Sequence, residues 1–310
     1  LAMWQLLLLL KVVYVLPHST QRCPASATAY QQFHLVRECQ RASTDDALAL
    51  ESTPTLQECM KLARELQGLA LNYAPVEQKR RMEHDVVSIN EQDARRHLSV
   101  FEQPAEFFNC HVLQCPQNTS FAGMVNDSRF DYYSLYGRPT ALKNITCIPE
   151  VGLFVIYTRH SNYTNASLSC SNACEYSGSL AHIASERRTS KLAKWLRDYN
   201  SQKGNSAIFL AYVGLQYNSS VSLRLMDFRN AQQESLECFL YSAWHAGHPR
   251  LGASQANASC VALTPQATWQ TTSSCDHKLP FICEIFTAST SAQLDTGANA
   301  AAATCVKIKA

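Results

Sequence analysis

Thirteen cysteines in 310 residues constrain this chain more than any other feature. Cysteines at such density, several of them closely spaced, pair stably only in an oxidising compartment unless they bind metal. The close spacings, Cys110-x4-Cys115 and Cys170-x3-Cys174, lack the paired C-x2-C form of a zinc site. A disulfide framework is therefore expected, and with it a location outside the cytosol. Seven N-x-S/T sequons point the same way, at Asn118, Asn126, Asn144, Asn162, Asn165, Asn218 and Asn257, none with proline in the middle position. The expected product is a secreted, extracellular glycoprotein.

Residues Trp4 to Leu16 form an apolar run interrupted only by Lys11 and followed by the polar stretch Pro17 to Arg22. The run is too short to span a bilayer and reads as a signal-peptide core. Residues 1–19 are predicted to be a signal peptide, and no stable membrane span is expected. A buried N-terminal strand is the competing reading, and the Pro-His-Ser-Thr-Gln stretch argues against it. With 46% hydrophobic and 17% charged residues, the chain is long enough for two ordinary domains. Net charge is only +2 and the basic residues are scattered among acidic ones, so no nucleic-acid partner is indicated.

The first predicted domain spans residues 23–147 and holds an even set of cysteines, Cys23, Cys39, Cys59, Cys110, Cys115 and Cys147. Six cysteines allow about fifteen connectivities, and spacing alone does not choose among them. Thr55-Leu-Gln-Glu58 has the capping-box form and predicts a helix start. Cys59, Leu62, Ala63 and Leu66 then give one buried stripe, Gly68 stops the helix, and Leu69 to Pro75 reads as a strand. Val76 to Arg96 is highly charged and carries Lys79-Arg80-Arg81, a solvated loop in preference to a processing or glycosaminoglycan-binding site. The aromatic cluster Phe130 to Tyr136 fits one face of a strand better than a ligand-stacking surface.

A helix that carries a buried cysteine and runs straight into LALNYAP resembles the PAN/apple family of adhesion modules. That resemblance implies an α+β domain with nested disulfides, Cys23 to Cys147, Cys39 to Cys115 and Cys59 to Cys110. The family usually has a second cysteine one turn along the helix, where this chain has Ala63.

The second predicted domain spans residues 148–286. Gly152 to Tyr157 reads as an apolar strand, followed by a helix over about Ser167 to Ser177 closed by Gly178. Another helix opens at Ser185 with Leu192, Trp195, Leu196 and Tyr199 on one face. The tail, residues 287–310, has no apolar periodicity, is expected to be disordered, and contains the odd Cys305.

The ordered series Cys174-x3-Gly178-x-Leu180-Ala181, Val213-Gly214-Leu215, Trp244-x2-Gly247-x-Pro249, Cys260-Val-Ala-Leu263, Trp269, Cys275 and Pro280-Phe-Ile-Cys283-Glu284 resembles the C-type-lectin-like fold. The resemblance covers about 135 residues and implies an α+β domain with disulfides Cys174 to Cys283 and Cys260 to Cys275. Cys170 and Cys238 are extra to the family minimum and are expected to pair with one another. Carbohydrate-binding members hold Ca2+ through a Glu-Pro-Asn or Gln-Pro-Asp triplet and a Trp-Asn-Asp triplet. This chain has His248-Pro249-Arg250 and Trp269-Gln270-Thr271 at the matching positions, and Arg250 to Ser259 contains no Asp or Glu. The resemblance thus implies a lectin-like domain without its calcium ligands, and no cofactor is expected.

His248, Arg250 and Gln270 are the candidate ligand-binding residues, as a modest cationic patch, although a plain surface role for His248 is the more economical reading. Trp244 and Trp269 are expected in the core rather than stacked on sugar. No GxSxG or HExxH stretch is present, and a zinc site from His245, His248, Asp276 and His277 would need loops to meet, so a non-enzymatic protein is expected. The pairing of modules and the short tail resemble arthropod secreted cuticle and epidermal C-type lectins of the schlaff type. That resemblance implies an extracellular glycan, chitin, or a matrix protein as partner. The alternatives are an immune lectin for microbial glycans and a structural matrix protein crosslinked as a disulfide-linked dimer through Cys305.

Overall fold

The capping signal at Thr55 marks where local chemistry first becomes tertiary structure in the computed structural model, which describes residues 32–75, 107–118, 120–137, 144–171, 178–203, 207–218, 227–250 and 258–286. The Thr55 side chain accepts the Glu58 amide and helix α1 runs over Leu56–Glu65. Its buried residues are Cys59, Met60 and Ala63, while Leu66 at the end of the predicted stripe stands exposed. The helix does not end on a left-handed glycine. Gln67 takes the positive φ of 57°, the Gln67 amide donates to the Arg64 carbonyl and the Gly68 amide to that of Ala63, a Schellman closure. Gly68 is needed for a different reason: a Cβ there would lie 2.4 Å from Val112 Cγ1 on the strand beneath.

Around α1 lie β1 (His34–Arg37), β2 (Gln40–Ala42), β3 (Ala47–Glu51), β4 (Ala70–Tyr73), β5 (Cys110–Leu113), β6 (Met124–Asn126) and β7 (Asp131–Ser134). Five of them form an antiparallel sheet in the order β1-β7-β4-β5-β3, and β2 pairs with β6. The predicted LALNYAP strand is its centre, with all four residues of β4 buried. Cys59 on α1 is bonded to Cys110 on β5, pinning helix to sheet. Phe130 and Tyr132 are buried at about 1%, which makes the aromatic cluster part of the core.

The remaining elements are β8 (Thr146–Ile148), β9 (Gly152–Ser161), α2 (Tyr163–Ser171), β10 (Gly178–Leu180), α3 (Glu186–Lys203), β11 (Ala211–Asn218), β12 (Arg229–Asn230), a 3-10 turn at Leu236–Phe239, β13 (Ala258–Leu263), β14 (Trp269–Thr271) and β15 (Leu279–Ile285). They build a second sheet in the order β14-β13-β11-β15-β9-β8, with β10 on β15 and β12 on β11. Successive strand residues face opposite ways. Val213 and Ile282 accordingly join Leu192 and Leu196 of α3 in one core, while Tyr212, Phe281 and Cys283 join Tyr163 and Cys170 of α2 in another. The two helices cover opposite faces of the sheet.

Several expected pairings are corrected. Cys283 is bonded to Cys170, so neither Cys174–Cys283 nor Cys170–Cys238 forms. Helix α2 starts four residues earlier than predicted, where the Asn162 side chain accepts the Asn165 amide, and its last turn holds Cys170 buried against Cys283 in one core. Gly178 opens β10 rather than closing a helix; a Cβ there would meet the Cys170 and Glu284 carbonyl oxygens at 2.8 Å. Cys147 is bonded to Cys115, which excludes both Cys23–Cys147 and Cys39–Cys115. Cys147 lies on β8, a strand of the second sheet, so this bond ties the two sheets together. The Cys59–Cys110 and Cys260–Cys275 bonds are as the resemblances imply, and Cys39 and Cys238 are also disulfide-bonded.

Further contacts join the two sheets. The Leu153 amide donates to the Tyr136 hydroxyl, and Arg187 of α3 donates to Gln67 at the end of α1. Within the second unit Glu150, between β8 and β9, pairs with Arg187 and, at 3.2 Å, with Lys191. The predicted signal peptide (residues 1–19), the Lys79-Arg80-Arg81 stretch, Cys23, Cys174, Asn257 and the tail with Cys305 lie outside the described residues. No helix among the described residues is long and apolar enough to cross a membrane. Asn118, Asn126, Asn144 and Asn165 are exposed, Asn162 is half-buried, and Asn218 ends β11.

Candidate functional site

The segment Tyr241 to Arg250 runs beside β14 and is fastened to it by backbone. The Trp269 amide donates to the Ala243 carbonyl at 2.7 Å and the His245 amide to the Trp269 carbonyl at 2.9 Å. Beneath it Trp269 is fully buried, with its indole N–H donating to Thr189 Oγ1 of α3 at 3.1 Å. Trp244 stands edge-on to Trp269, ring centres 5.4 Å apart, and packs on Phe228. Trp269 thus lies in the core as expected, while Trp244 is only half-buried against it.

His248 and Arg250 meet at one atom pair that the sequence reading did not single out, the hydroxyl and amide of Thr271. The Thr271 hydroxyl accepts the Arg250 backbone N–H at 2.8 Å and lies 2.9 Å from His248 Nδ1, while the Thr271 amide donates to the same nitrogen at 3.0 Å. Nδ1 is thus an acceptor, which places the proton of the neutral ring on Nε2. Burial lowers the His248 pKa below its ordinary value, and the nearby charges of Arg250 and His245 lower it further. The Arg250 guanidinium folds back, with Nε donating to the Gly247 carbonyl at 2.6 Å. Gln270, between two buried residues of β14, belongs to the opposite face by strand alternation and is not brought to this cluster. The only trace of Thr271 in the sequence was its place in the Trp-Gln-Thr triplet.

This donor set does not suit calcium, which takes about six to eight hard oxygens. It offers an imidazole nitrogen already occupied by two donors, one hydroxyl, and a guanidinium that would repel a cation. His245 and His248 have ring centres 6.2 Å apart, and they do not assemble with Asp276 and His277. Among the described residues no three His, Cys, Asp or Glu side chains converge as a metal site.

Residues 159–285 match the lectin C-type domain family. Residues 159–285 therefore carry a C-type lectin domain with an α+β fold and disulfides, a module that suggests carbohydrate binding. Among solved structures, similarity is found to human lithostathine at 17% identity, covering 47% of this chain and 99% of that one with a TM-score of 0.37. The mouse scavenger receptor C-type lectin carbohydrate-recognition domain is similar at 17% identity, 48% and 99% coverage and a TM-score of 0.37. C-type lectin CEL-I from Cucumaria echinata is similar at 14% identity, with the same coverage and TM-score. No curated protein matches this chain in sequence.

Proposed function

We propose that the chain is a secreted, glycosylated, non-enzymatic binding protein whose C-type lectin domain takes an extracellular glycan without calcium. The observation that supports this most is the internal wiring of the loop. Where calcium-dependent members carry carboxylates, Thr271 holds a neutral His248 and the backbone of Arg250, and the donors left facing outward are N–H groups. Such donors suit hydroxyl, acetamido or carboxylate oxygens of a sugar.

On this reading the N-terminal sheet and α1, linked through Cys59–Cys110, form the PAN/apple-like module. The Cys115–Cys147 bond and the Tyr136 contact hold the two sheets together, which favours a protein that bridges components of a matrix. A chitin-containing, cuticle-like matrix is the proposed setting. Binding to immobilised chitin and to a glycan array, each with and without EDTA, tests the reading. Retention in EDTA and weakening by Arg250→Ala are expected; sugar binding that EDTA abolishes would overturn it.

A further inference from the structure

We infer that the C-type lectin domain carries a second ligand site, for an anionic and in particular sulfated glycan, in the cleft between the end of β9 and helix α2. The inference extends the glycan-binding reading above and rests on it for the class of ligand. The cleft has a volume of about 690 Å³ and is lined by Tyr157, Arg159, His160, Asn165, Leu168 and Lys278 among others. It shares no residue with the His248 loop. A volume of this size lies within the range of about 300–1,000 Å³ common to ligand pockets.

Three observations give the cleft its chemistry. First, every ionisable group that lines it is basic except the Tyr157 phenol, and no carboxylate is among the lining residues. Secondly, Arg159, His160 and Lys278 are exposed and form no ion pair or hydrogen bond among the described residues, in contrast to Arg187, Arg188 and Lys191 on the same domain. Thirdly, the backbone is deformed at this point. Between the pairs Phe281↔Tyr157 and Leu279↔Ser161, β15 advances two residues while β9 advances four, so residues 158–160 bulge out of the sheet and carry Arg159 and His160 with them. Bulges beside binding sites serve to re-aim side chains in this way.

The rest of the lining decides the kind of anion. Ser161 and Ser169 bring hydroxyls, Asn162 and Asn165 bring amides, and Tyr157, stacked on Phe281 with ring centres 4.8 Å apart, brings one half-buried aromatic wall. Unpaired cations set among hydroxyl and amide groups match a polyhydroxylated chain bearing sulfate or carboxylate groups. An acidic peptide would meet the cations but brings no sugar ring to lay against the Tyr157 wall.

The test is titration of a heparin-derived hexasaccharide into the full chain in a Thr164→Ala/Ser167→Ala background, which removes both sequons of the rim and keeps the Asn162 and Asn165 amides. A polyglutamate peptide and a neutral chitin hexasaccharide are run in parallel. The sulfated probe should bind with an affinity that falls as salt rises and that drops about tenfold or more in Arg159→Ala/Lys278→Ala, since two charge-assisted contacts are lost. Lys194→Ala, an exposed cation of α3 that belongs to neither site, should leave that affinity unchanged. Both cleft side chains are exposed, so an unaltered unfolding midpoint will certify the double variant. Equal affinity in the double variant would overturn the site, and polyglutamate binding as tightly with the same dependence on Arg159 and Lys278 would overturn the ligand class. Loss of chitin binding alone would count against the calcium-free loop and leave the cleft standing.

Discussion

Arg250 and Arg159 stand on the same C-type lectin domain and differ in what they already touch. Arg250 is exposed but tied down, with its backbone N–H on Thr271 and its guanidinium Nε on the Gly247 carbonyl. Arg159 rides on a strand bulge beside Lys278, its side-chain donors without a partner among the described residues. A donor already satisfied within the protein gains little from a new partner, whereas an open donor gains a charge-assisted bond. Two arginines of equal formal charge therefore offer a ligand different things, a rigid and specific rim at the loop and an electrostatic handle at the cleft.

The most severe way to break this contrast is to remove the Cys170–Cys283 bond, which holds α2 against β15 across 113 residues. Cys170→Ser should cost about 4 to 5 kcal/mol by loop-closure entropy, read by equilibrium denaturant unfolding. At denaturant-free conditions the cleft, which takes Asn165, Leu168 and Ser169 from α2, should weaken while the His248–Thr271 contact persists. Equal damage to both would show that they are not independent. A smaller effect is expected from Thr271→Val, which leaves the Arg250 N–H without its buried acceptor. We expect a loss of about 1 to 3 kcal/mol in unfolding free energy and no change in binding at the cleft.

The gentlest test is Arg250→Ala, expected to change stability by less than about 0.5 kcal/mol. It should raise the His248 pKa, since the Arg250 charge is one of the causes that lower it, and an NMR titration of the ring would read the shift. The sign for stability follows from linkage. A histidine whose folded value lies below the ordinary 6.5 favours the native state fully above that pH and progressively less as pH falls below it. Arg250→Ala should therefore make the loop less sensitive to acid.

Much of the fold was legible before any coordinates. The capping box at Thr55, the buried LALNYAP strand and the helix after Ser185 are local signals, carried by residues within one or two turns of each other, and each appears where expected. The start of α2 was missed because Asn162 reads first as a sequon, while its carbonyl oxygen serves as the helix cap. With α2 running from Tyr163 to Ser171, Cys170 sits in its last turn, buried and bonded to Cys283. Gly178, read as a helix stop, is instead a point where two carbonyls come too close for a side chain, a fact about β15 that lies more than a hundred residues away.

What the amino-acid sequence determined by itself is the class of molecule: a cysteine-stapled chain rich in sequons, a lectin-like order of Gly, Trp, Pro and Cys, and no carboxylate between Arg250 and Ser259. Composition and order suffice for these because each is a property of single residues or of short spacings. The tertiary structure alone decided that Cys283 takes Cys170, that Cys147 joins the two sheets, that Thr271 wires the loop, and that Arg159 and Lys278 share a cleft. Each of these depends on which distant groups the two sheets bring within a few ångströms, and proximity across a sheet has no signature along the chain.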